Sequence, residues 1–410
     1  MRLSVYEHVS GGGCAGQTIS PSVLSEGFGM LRSIVSDFKL AGHQVTVLLD
    51  GRLSRLNPPM AADCTIPVFY TKEAEKILLD AAKVNDAVYV IAPETQKTLQ
   101  SLVELVEHIG TVSLNCDVNA IQKVADKAVL HETLKKNGFP TPNTAVLNVD
   151  VGLPSVKQVI RSKFSYPVVF KPVDGVSCGG LSIVKGDAQV EKAINKIKAK
   201  SAGKHFLVQE FLDGEASSVS VLCTGEKAFA VSLNRQSVKV AGPEAVSSYE
   251  GGTVPFDHPL KHEAFKVGEK VVEAFAGLRG YVGVDLVLVK DKSFVVDVNP
   301  RLTTSYVGLR EVASFNVAEA LINAVLNRKL PTEREINGFV YFSKVETAKP
   351  SVSAFEKATE ICEVVSPPFP LDDTDRACSL VAGQGESLDN SRLRFEEAKK
   401  CLLNIICRGK

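Results

Sequence analysis

The 410-residue sequence lacks a long apolar run and lacks a net charge. A membrane-spanning helix needs about 20 consecutive apolar residues, so we expect none here. The N-terminus has no basic stretch followed by an apolar block, and we therefore expect no secretory signal peptide. Lys and Arg together number 47, as do Asp and Glu. This balance argues against a general nucleic-acid role, which usually needs a basic surface.

Paired cysteines are missing as well. The nine cysteines are scattered without a C-x-x-C motif, and their odd number prevents all of them from pairing within one chain. This pattern argues against a zinc cluster and against a disulfide framework. We therefore expect mostly buried thiols in a protein of the reducing cytoplasm.

The N-terminal part of the chain alternates between strand-like and helix-like segments. Apolar strands such as HQVTVLLD and AVYVIAP are each separated by segments with helical spacing. This alternation predicts an α/β domain with an open, mostly parallel sheet over residues 1–115. Paired strands and short turns then indicate an α+β region over 116–330, and a small α+β region over 331–410.

The segment GYVGVDLVLVKDKSFVVDVNPR predicts a β-hairpin that carries polar side chains. Asp297 and Asn299 share a face because strand side chains alternate. If the turn has three residues, 290–292, Asp285 faces Asp297, and the three side chains form an oxygen-donor set suited to Mg²⁺. A two-residue turn would place Asp285 on the opposite face. Ordinary polar residues at a strand end are the alternative interpretation.

The segment FKPVDGVSCGG indicates a phosphate-binding loop. Lys171 ends an apolar strand, and small residues after it would let backbone N–H groups approach phosphate oxygens beside the lysine charge. The loop is not a Walker A motif, because the lysine precedes the glycines. An ordinary hairpin loop is the alternative. The loop residues of interest are Asp174, Gly175, Ser177, Gly179 and Gly180.

The order of these motifs resembles the ATP-grasp superfamily of carboxylate–amine ligases. Along the chain come Asp126-Lys127, Lys171 with its loop, VQEFLDGE, Asp285 and D-x-N-P-R at 297–301. The resemblance covers roughly residues 115–330. It implies a Rossmann-like preceding domain and a two-lobed ATP-grasp fold, with a flap lobe at about 116–208 and a metal-site lobe at about 209–330.

The resemblance also implies ATP and Mg²⁺ or Mn²⁺ as cofactors. Lys127 and Lys171 match the lysines that touch the phosphates, and the loop from Asp174 to Gly180 matches the mobile flap. Asp285, Asp297 and Asn299 match the metal ligands, although many members carry Glu at the position of Asp297. The adenine-contacting linker and the ribose-binding acid correspond to Gln209, Glu210, Phe211, Leu212 and Glu215.

The chemistry implied is transfer of a phosphoryl group from ATP to a substrate carboxylate, followed by attack of an amine on the acylphosphate. Arg301 is a candidate to hold the carboxylate and the developing oxyanion. Arg235 is a second candidate, with a strand-end surface role as its alternative. The expected partners are a small-molecule carboxylate and an amine, without nucleic acid or membrane, and a homodimer is left open.

A narrower resemblance rests on the segments YEHVSGGG, SEGFGML, LNRQSV, YEGGTVPF and DVNPRLTTSYVGLR. Together they are similar to the archaeal-type tyramine–glutamate ligases of methanofuran biosynthesis and their relatives. This similarity implies ligation of the γ-carboxylate of glutamate to tyramine or a similar amine. Related ligases can share one scaffold and differ in a few pocket residues.

Gly11, Gly13 and Gly16 match the pattern G-x-G-x-x-G, which is typical of a dinucleotide-binding turn. An NAD-dependent oxidoreductase is thus one alternative. In such enzymes an acidic residue that binds the ribose follows the glycines by ~20 residues, whereas Asp50 follows Gly16 by considerably more. A nucleotide-binding sensor without turnover is another. In ATP-grasp ligases this loop often faces the second substrate. The resemblance implies an ammonium site at Glu7, aided by Glu26, and a carboxylate site formed by Ser10, Gly11, Gly12 and Gly13. An ordinary flexible connection is the alternative.

Overall fold

The structure, a computed structural model, describes residues 1–175 and 178–408 and arranges them in three β-sheets with flanking helices. Ser177 of the predicted flap lies outside the described residues. Within the described part of the chain, no helix is both long enough and apolar enough to cross a membrane.

The N-terminal part forms a parallel sheet. Its elements are β1 (Arg2–Glu7), α1 (Pro21–Leu40), β2 (Gln44–Asp50), α2 (Gly51–Ser54), β3 (Cys64–Val68), α3 (Thr71–Lys83), β4 (Ala87–Ile91), α4 (Thr98–His108) and β5 (Val112–Ser113). The strands lie in the order β3-β2-β1-β4-β5. Every residue of β4 is buried, as expected for a parallel strand covered by helices on both faces. The predicted α/β domain with a parallel sheet is confirmed.

The next part forms a small antiparallel sheet. Its elements are α5 (Val118–Ala125), α6 (Lys127–Lys136), β6 (Thr144–Asn148), α7 (Leu153–Lys163), β7 (Val168–Pro172), β8 (Ser182–Val184), α8 (Val190–Lys200) and β9 (His205–Glu210). The strand order is β6-β9-β7-β8. Phe170 and Phe206 stack in its core with ring centroids 5.5 Å apart. The aromatic pair joins β7 to β9 and thereby fixes the strand that carries Lys171.

The third sheet is antiparallel and reaches from residue 215 to the C-terminal region. Its elements are β10 (Glu215–Thr224), β11 (Ala228–Lys239), β12 (Ser248–Val254), α9 (Lys261–Glu273), β13 (Arg279–Val289), β14 (Lys292–Asn299), α10 (Tyr306–Val312), α11 (Val317–Leu326), β15 (Phe339–Ala348), α12 (Val352–Thr359), β16 (Val364–Ser366), β17 (Arg376–Gly385) and α13 (Leu388–Arg408). The strand order is β14-β13-β10-β11-β12-β15-β17-β16.

The C-terminal strands continue this large sheet through the pairing of β12 with β15. The close approach depends on Gly251, where a Cβ would lie 2.1 Å from the carbonyl oxygen of Phe342. Its φ of 141° also lies outside the range that other residues favour. α1 packs against both β1 and β17, so one helix joins the parallel sheet to the C-terminal strands. The boundaries at 115 and 330 stay predictions.

Candidate active site

A cleft of about 870 Å³ is lined by residues of all three sheets. One end lies between β7, β9, β13 and β14, and the other lies at the carboxyl ends of β1 and β4 beside α1. Carboxyl ends of parallel strands are common ligand sites in α/β folds. We describe the first end as the nucleotide end and the second as the substrate end.

The β13–β14 hairpin brings the predicted metal ligands together, although its turn is the two-residue one that was expected to separate them. Val289 pairs with Lys292, so the turn has two residues, 290–291. A register shift beyond Leu286 then leaves Val296 as an extra residue, and Asp285 pairs with Asp297 after all. Such a β-bulge moves every later side chain by one position. The bulge therefore restores the shared face that a two-residue turn alone would have destroyed.

The same bulge contributes to the position of Lys171. The Nζ atom of Lys171 donates to the carbonyl oxygen of Val296 at 3.0 Å. Lys127, the first residue of α6, has its Nζ 2.5 Å from Oδ2 of Asp297. Both predicted phosphate lysines thus point at the predicted metal-binding hairpin. Burial lowers the pKa of Lys171 to about 8, and a neighbouring triphosphate would favour its charged form.

Asp285 is the buried carboxylate of this group. It accepts hydrogen bonds from the side-chain amides of Gln236 at 2.9 Å and Asn299 at 3.0 Å. Burial, followed by repulsion from Asp297, raises the pKa of Asp285 to about 6. Gln236 was not predicted. It lies on β11 within the segment LNRQSV, and the pairing of β10 with both β11 and β13 brings it to Asp285.

These residues fit a divalent cation. Two facing carboxylates and an amide provide the hard oxygen donors that Mg²⁺ prefers, once the Asn299 amide turns its oxygen toward the ion. The repulsion that raises the pKa of Asp285 is the kind of charge conflict that a bound cation relieves. Nowhere in residues 1–175 and 178–408 do three or more His, Cys, Asp or Glu side chains form a metal-binding group.

The predicted adenine linker lies on the cleft wall. All four of its residues, Gln209, Glu210, Phe211 and Leu212, line the cleft. The backbone N–H of Glu210 donates to the carbonyl oxygen of Asn143, and the side-chain amide of Gln209 donates to Thr144 at 2.8 Å. These bonds attach Gln209 to β6 and Glu210 to Asn143, the residue that precedes β6. The linker is therefore held rigid beside the lysines.

The flap is placed in part as predicted. Gly175 and Gly179 line the cleft together with Cys178. Gly180 has a φ of 77° and lies against Pro172, so it shapes the loop. Asp174 accepts a hydrogen bond from Ser201 at 2.5 Å, which anchors the loop to the end of α8. Burial raises the pKa of the Cys178 thiol to about 11, which disfavours a reactive thiolate near neutral pH.

Glu215 and Arg235 pair with each other. A guanidinium nitrogen of Arg235 lies 3.2 Å from a carboxylate oxygen of Glu215, and the guanidinium also lies over the Phe256 ring at 5.5 Å. Their chain neighbours Ala216 and Gln236 line the cleft, so Arg235 points to the other face of β11 because strand side chains alternate. The structure gives no support to the predicted role of Arg235 at a phosphate or carboxylate.

Arg301 lines the cleft beside the hairpin, as expected, but it has a partner that the sequence analysis missed. Its Nε lies 3.0 Å from Oε1 of Glu94, and Nη2 donates to Oε2 of the same carboxylate at 3.1 Å. Both side chains are buried. Glu94 follows the carboxyl end of β4, and its place directly after the apolar run AVYVIAP is a signal that could have been used.

The N-terminal loop is placed differently from the prediction. Ser10 donates its hydroxyl and backbone N–H to Glu7, both at 2.7 Å. The glycines after it pack against side chains instead of facing the cleft: a Cβ on Gly11 would lie 2.8 Å from Tyr6, and one on Gly12 would lie 2.4 Å from Val68. The predicted carboxylate site at Ser10 and the glycines is therefore corrected to a close-packed turn.

Glu7 itself lines the cleft. Because it is buried, its pKa is raised, although hydrogen bonds from the backbone and hydroxyl of Ser10 and from the backbone of Val9 oppose this shift. Its carboxylate is thus already satisfied by its own loop, which leaves less capacity for the predicted substrate ammonium. Glu26 also lines the cleft, one turn along α1 from Ser22.

Comparisons with known proteins agree with this geometry. Residues 124–305 match an ATP-grasp domain, and residues 43–121 match a pre ATP-grasp 3 domain. The chain is 34% identical over 245 residues to a tyramine–L-glutamate ligase of Methanocaldococcus fervens, covering 60% of this chain and 68% of that one. It is 32% identical to the tyramine–L-glutamate ligase of Methanocaldococcus jannaschii over 255 residues, 62% of this chain and 67% of that one.

The fold is also similar to that of a biotin carboxylase of Campylobacter jejuni solved as a β,γ-ATP complex. The TM-score is 0.71 with 15% identity, and the match covers 98% of this chain and 94% of that one. At this identity the likeness concerns the fold alone. The comparisons support the ligase interpretation and give no support to an NAD-dependent oxidoreductase. Members of the matched family use ATP with Mg²⁺. The chain belongs to the ATP-grasp family, and it is an ATP-dependent carboxylate–amine ligase.

Proposed function

We propose that this ligase joins the γ-carboxylate of glutamate to the amine of tyramine or of a similar arylalkylamine. The observation that carries the proposal is one continuous cleft, with lysines and facing carboxylates at the nucleotide end and paired ionic groups beside apolar side chains at the substrate end. The identity to two tyramine–L-glutamate ligases supports the choice of substrates.

The nucleotide end has residues for each part of ATP. Gln209 to Leu212 would contact the adenine, and Lys127 and Lys171 would hold the phosphates. Asp285, Asp297 and Asn299 would hold Mg²⁺, which when bound neutralises phosphate charge and favours phosphoryl transfer. Catalysis then depends mainly on positioning and charge, so a reactive protein nucleophile is not required.

Arg301 lies between the two ends of the cleft and suits the substrate carboxylate. It follows the metal-binding hairpin directly and lines the cleft. Its Nη2 donates a hydrogen bond to Glu94, its Nε lies within ion-pair distance of the same carboxylate, and its Nη1 donates to the carbonyl oxygen of Leu302 at 3.0 Å. The guanidinium is therefore fixed in one orientation, and such a fixed cation stabilises the developing oxyanion without reorganising.

The substrate end has an apolar side that would accommodate an aromatic amine. Val9, Val23, Met30 and Ile91 line it, and Tyr249 closes it from β12. A tyramine ring placed there would bury apolar surface at about 25 cal/mol per Å². Small alkylamines would gain much less from this wall, so we expect a preference for arylalkylamines.

The test is a product analysis of the full chain. The protein is incubated with ATP, Mg²⁺, a panel of carboxylates that includes glutamate and a panel of amines that includes tyramine, and products are identified by mass together with released phosphate. We expect a glutamyl amide of tyramine and one phosphate per amide, and no product with Asp297→Ala. ATP binding without phosphate release would favour the nucleotide-binding sensor, and an amide with another carboxylate would replace glutamate.

Two further parts of the proposal concern the setting of the enzyme. We propose the cytoplasm as its location and small molecules as its substrates, and a homodimer remains a prediction. Sedimentation analysis of the purified chain checks the oligomeric state.

A further inference from the structure

Lys344 extends from β15 of the C-terminal region toward the substrate end of the cleft. Its Nζ donates to Oε1 of Glu26 at 2.9 Å and to the hydroxyl of Ser22 at 2.7 Å. It also lies 5.9 Å from the ring centroid of Tyr249. Only 8% of its side chain is exposed. All of these partners are supplied by α1 and β12, so three distant parts of the chain meet at this lysine.

Glu26 is the charged member of this group that lines the cleft, next to Tyr249. While Lys344 holds one of its carboxylate oxygens, Thr304 donates to the other at 3.0 Å. A carboxylate held at both oxygens has a defined direction, and it still has lone pairs for a further donor. Thr304 follows the metal-binding hairpin, so the position of Glu26 is linked to the nucleotide end.

The Glu26–Lys344 pair is not required to attach α1 to the C-terminal half of the chain, because other bonds do so. Arg310 of α10 binds Asp37 of α1 at 2.6 Å and 2.9 Å, and Arg32 of α1 donates to the carbonyl oxygen of Val364 at 2.8 Å. These bonds lie away from the cleft and already join α1 to the large sheet. The Glu26–Lys344 pair differs from them because its carboxylate is on the cleft wall.

We propose that Glu26 binds the α-ammonium group of the carboxylate substrate and that Lys344 is the residue that positions Glu26 for it. This inference rests on the proposed function. The amine that attacks must be neutral, whereas the α-ammonium of an amino acid does not react and can remain charged. A fixed carboxylate therefore suits the α-ammonium better than the attacking amine. The C-terminal region, which lies beyond the residues that match the ATP-grasp domain, thereby contributes to substrate selection.

The experiment compares glutamate with glutarate, which differs only in lacking the α-ammonium. Amide formation with tyramine is measured for the wild-type chain, Glu26→Gln, Lys344→Met and Lys344→Arg. We expect the wild type to prefer glutamate, and Glu26→Gln and Lys344→Met to reduce that preference by about tenfold or more through the KM for glutamate. Lys344→Arg retains a cation and should restore part of the preference, while the KM for ATP stays unchanged.

Lys349→Met is the matched control, since Lys349 follows the same strand and pairs with the exposed Asp372 at 2.9 Å. It should leave the preference unchanged. Thermal melting of each variant reports folding separately. Equal losses with glutamate and glutarate in Lys344→Met, or a wild type without preference, would overturn the inference.

Failure of the proposed function gives a different result. If the wild type makes no amide from glutamate, the amine and carboxylate panel identifies the true carboxylate. An amino acid is then compared with its deamino analogue in the same variants. A true substrate without an ammonium group would overturn the inference.

Discussion

The nucleotide end and the substrate end of the cleft differ in how their charges are balanced. At the nucleotide end, Asp297 pairs with Lys127 but also faces Asp285, and Lys171 donates to a backbone carbonyl instead of a carboxylate. At the substrate end, the acids already have partners: Glu26 binds Lys344, and Glu94 binds Arg301.

This difference indicates what each end accepts. The pKa of Asp285 is raised and the pKa of Lys171 is lowered, and burial is the main cause of both shifts. Both groups are therefore displaced toward their neutral forms, and the arrival of a cation and a polyphosphate would restore their charges. At the substrate end, Glu26 and Lys344 already balance each other's charge, as do Glu94 and Arg301. A bound ion would therefore not compensate their charges further. Under the proposed function, these pairs select substrates by the direction of their hydrogen bonds.

The largest effect on turnover is expected from the nucleotide end. Asp297→Ala removes one proposed metal ligand and the carboxylate that pairs with Lys127. Since metal neutralisation is worth several kcal/mol, ligation should fall at least about 1,000-fold. Phosphate release and product mass measure the loss, and a melting curve close to that of the wild type would show that the fold is kept. Turnover within a few fold of the wild type would refute the metal assignment.

An intermediate effect is expected from Glu94→Gln. The amide keeps the size of the side chain but loses the charge that holds Arg301, so the guanidinium would no longer be fixed. We expect kcat to fall up to about 100-fold, with little change in the KM for ATP.

Asp37→Asn is the control for Glu94→Gln, because Asp37 forms another buried pair with an arginine, Arg310, away from the cleft. It should lower the melting temperature while leaving kcat nearly unchanged. Equal kcat losses in the two variants would show that the Glu94–Arg301 pair is only structural.

The smallest effect on turnover is expected from the glycine loop. Gly12 has a φ of 100°, and a Cβ there would overlap Val68. Gly12→Ala should therefore lower the free energy of unfolding by about 1–3 kcal/mol, while kcat/KM of the folded fraction stays unchanged. Urea unfolding and steady-state kinetics measure the two quantities.

Gly16→Ala is the matched control for Gly12→Ala. Gly16 also has a positive φ, at 79°, but a Cβ there would meet open space. Its loss of stability should be smaller. A large rise in the KM for the carboxylate substrate with Gly12→Ala would instead restore the predicted substrate contact of this loop.

The sequence predicted the nucleotide end better than the substrate end. Lys171, its loop and the 209–212 linker are each parts of one local segment, and strand alternation places their side chains correctly. The geometry of the β13–β14 hairpin could not be predicted from local patterns alone, because it depends on the strand register. The sequence left both a three-residue and a two-residue turn open, and a bulge at Val296 that has no clear sequence signal decided that Asp285 faces Asp297; their role as metal ligands stays a prediction.

The substrate end was predicted only in part because its partners are far apart in the sequence. Arg301 and Glu94 are separated by 207 residues, and Lys344 and Glu26 by 318. No periodicity or local spacing reports such pairs. The same reason explains why the continuation of the large sheet by β15, β17 and β16 was not predicted.

The sequence by itself determined the alternation of strands and helices and which lysines, linker residues and oxygen donors are available at the nucleotide end; the roles of these residues stay predictions. These properties follow from local periodicity and from the chemistry of single side chains. Only the tertiary structure decided that Gly11 to Gly13 pack inward, that Arg235 faces away from the cleft, and that Arg301 and Glu26 each have a fixed partner. These outcomes depend on strand register and on packing between distant elements, which one-dimensional patterns do not specify.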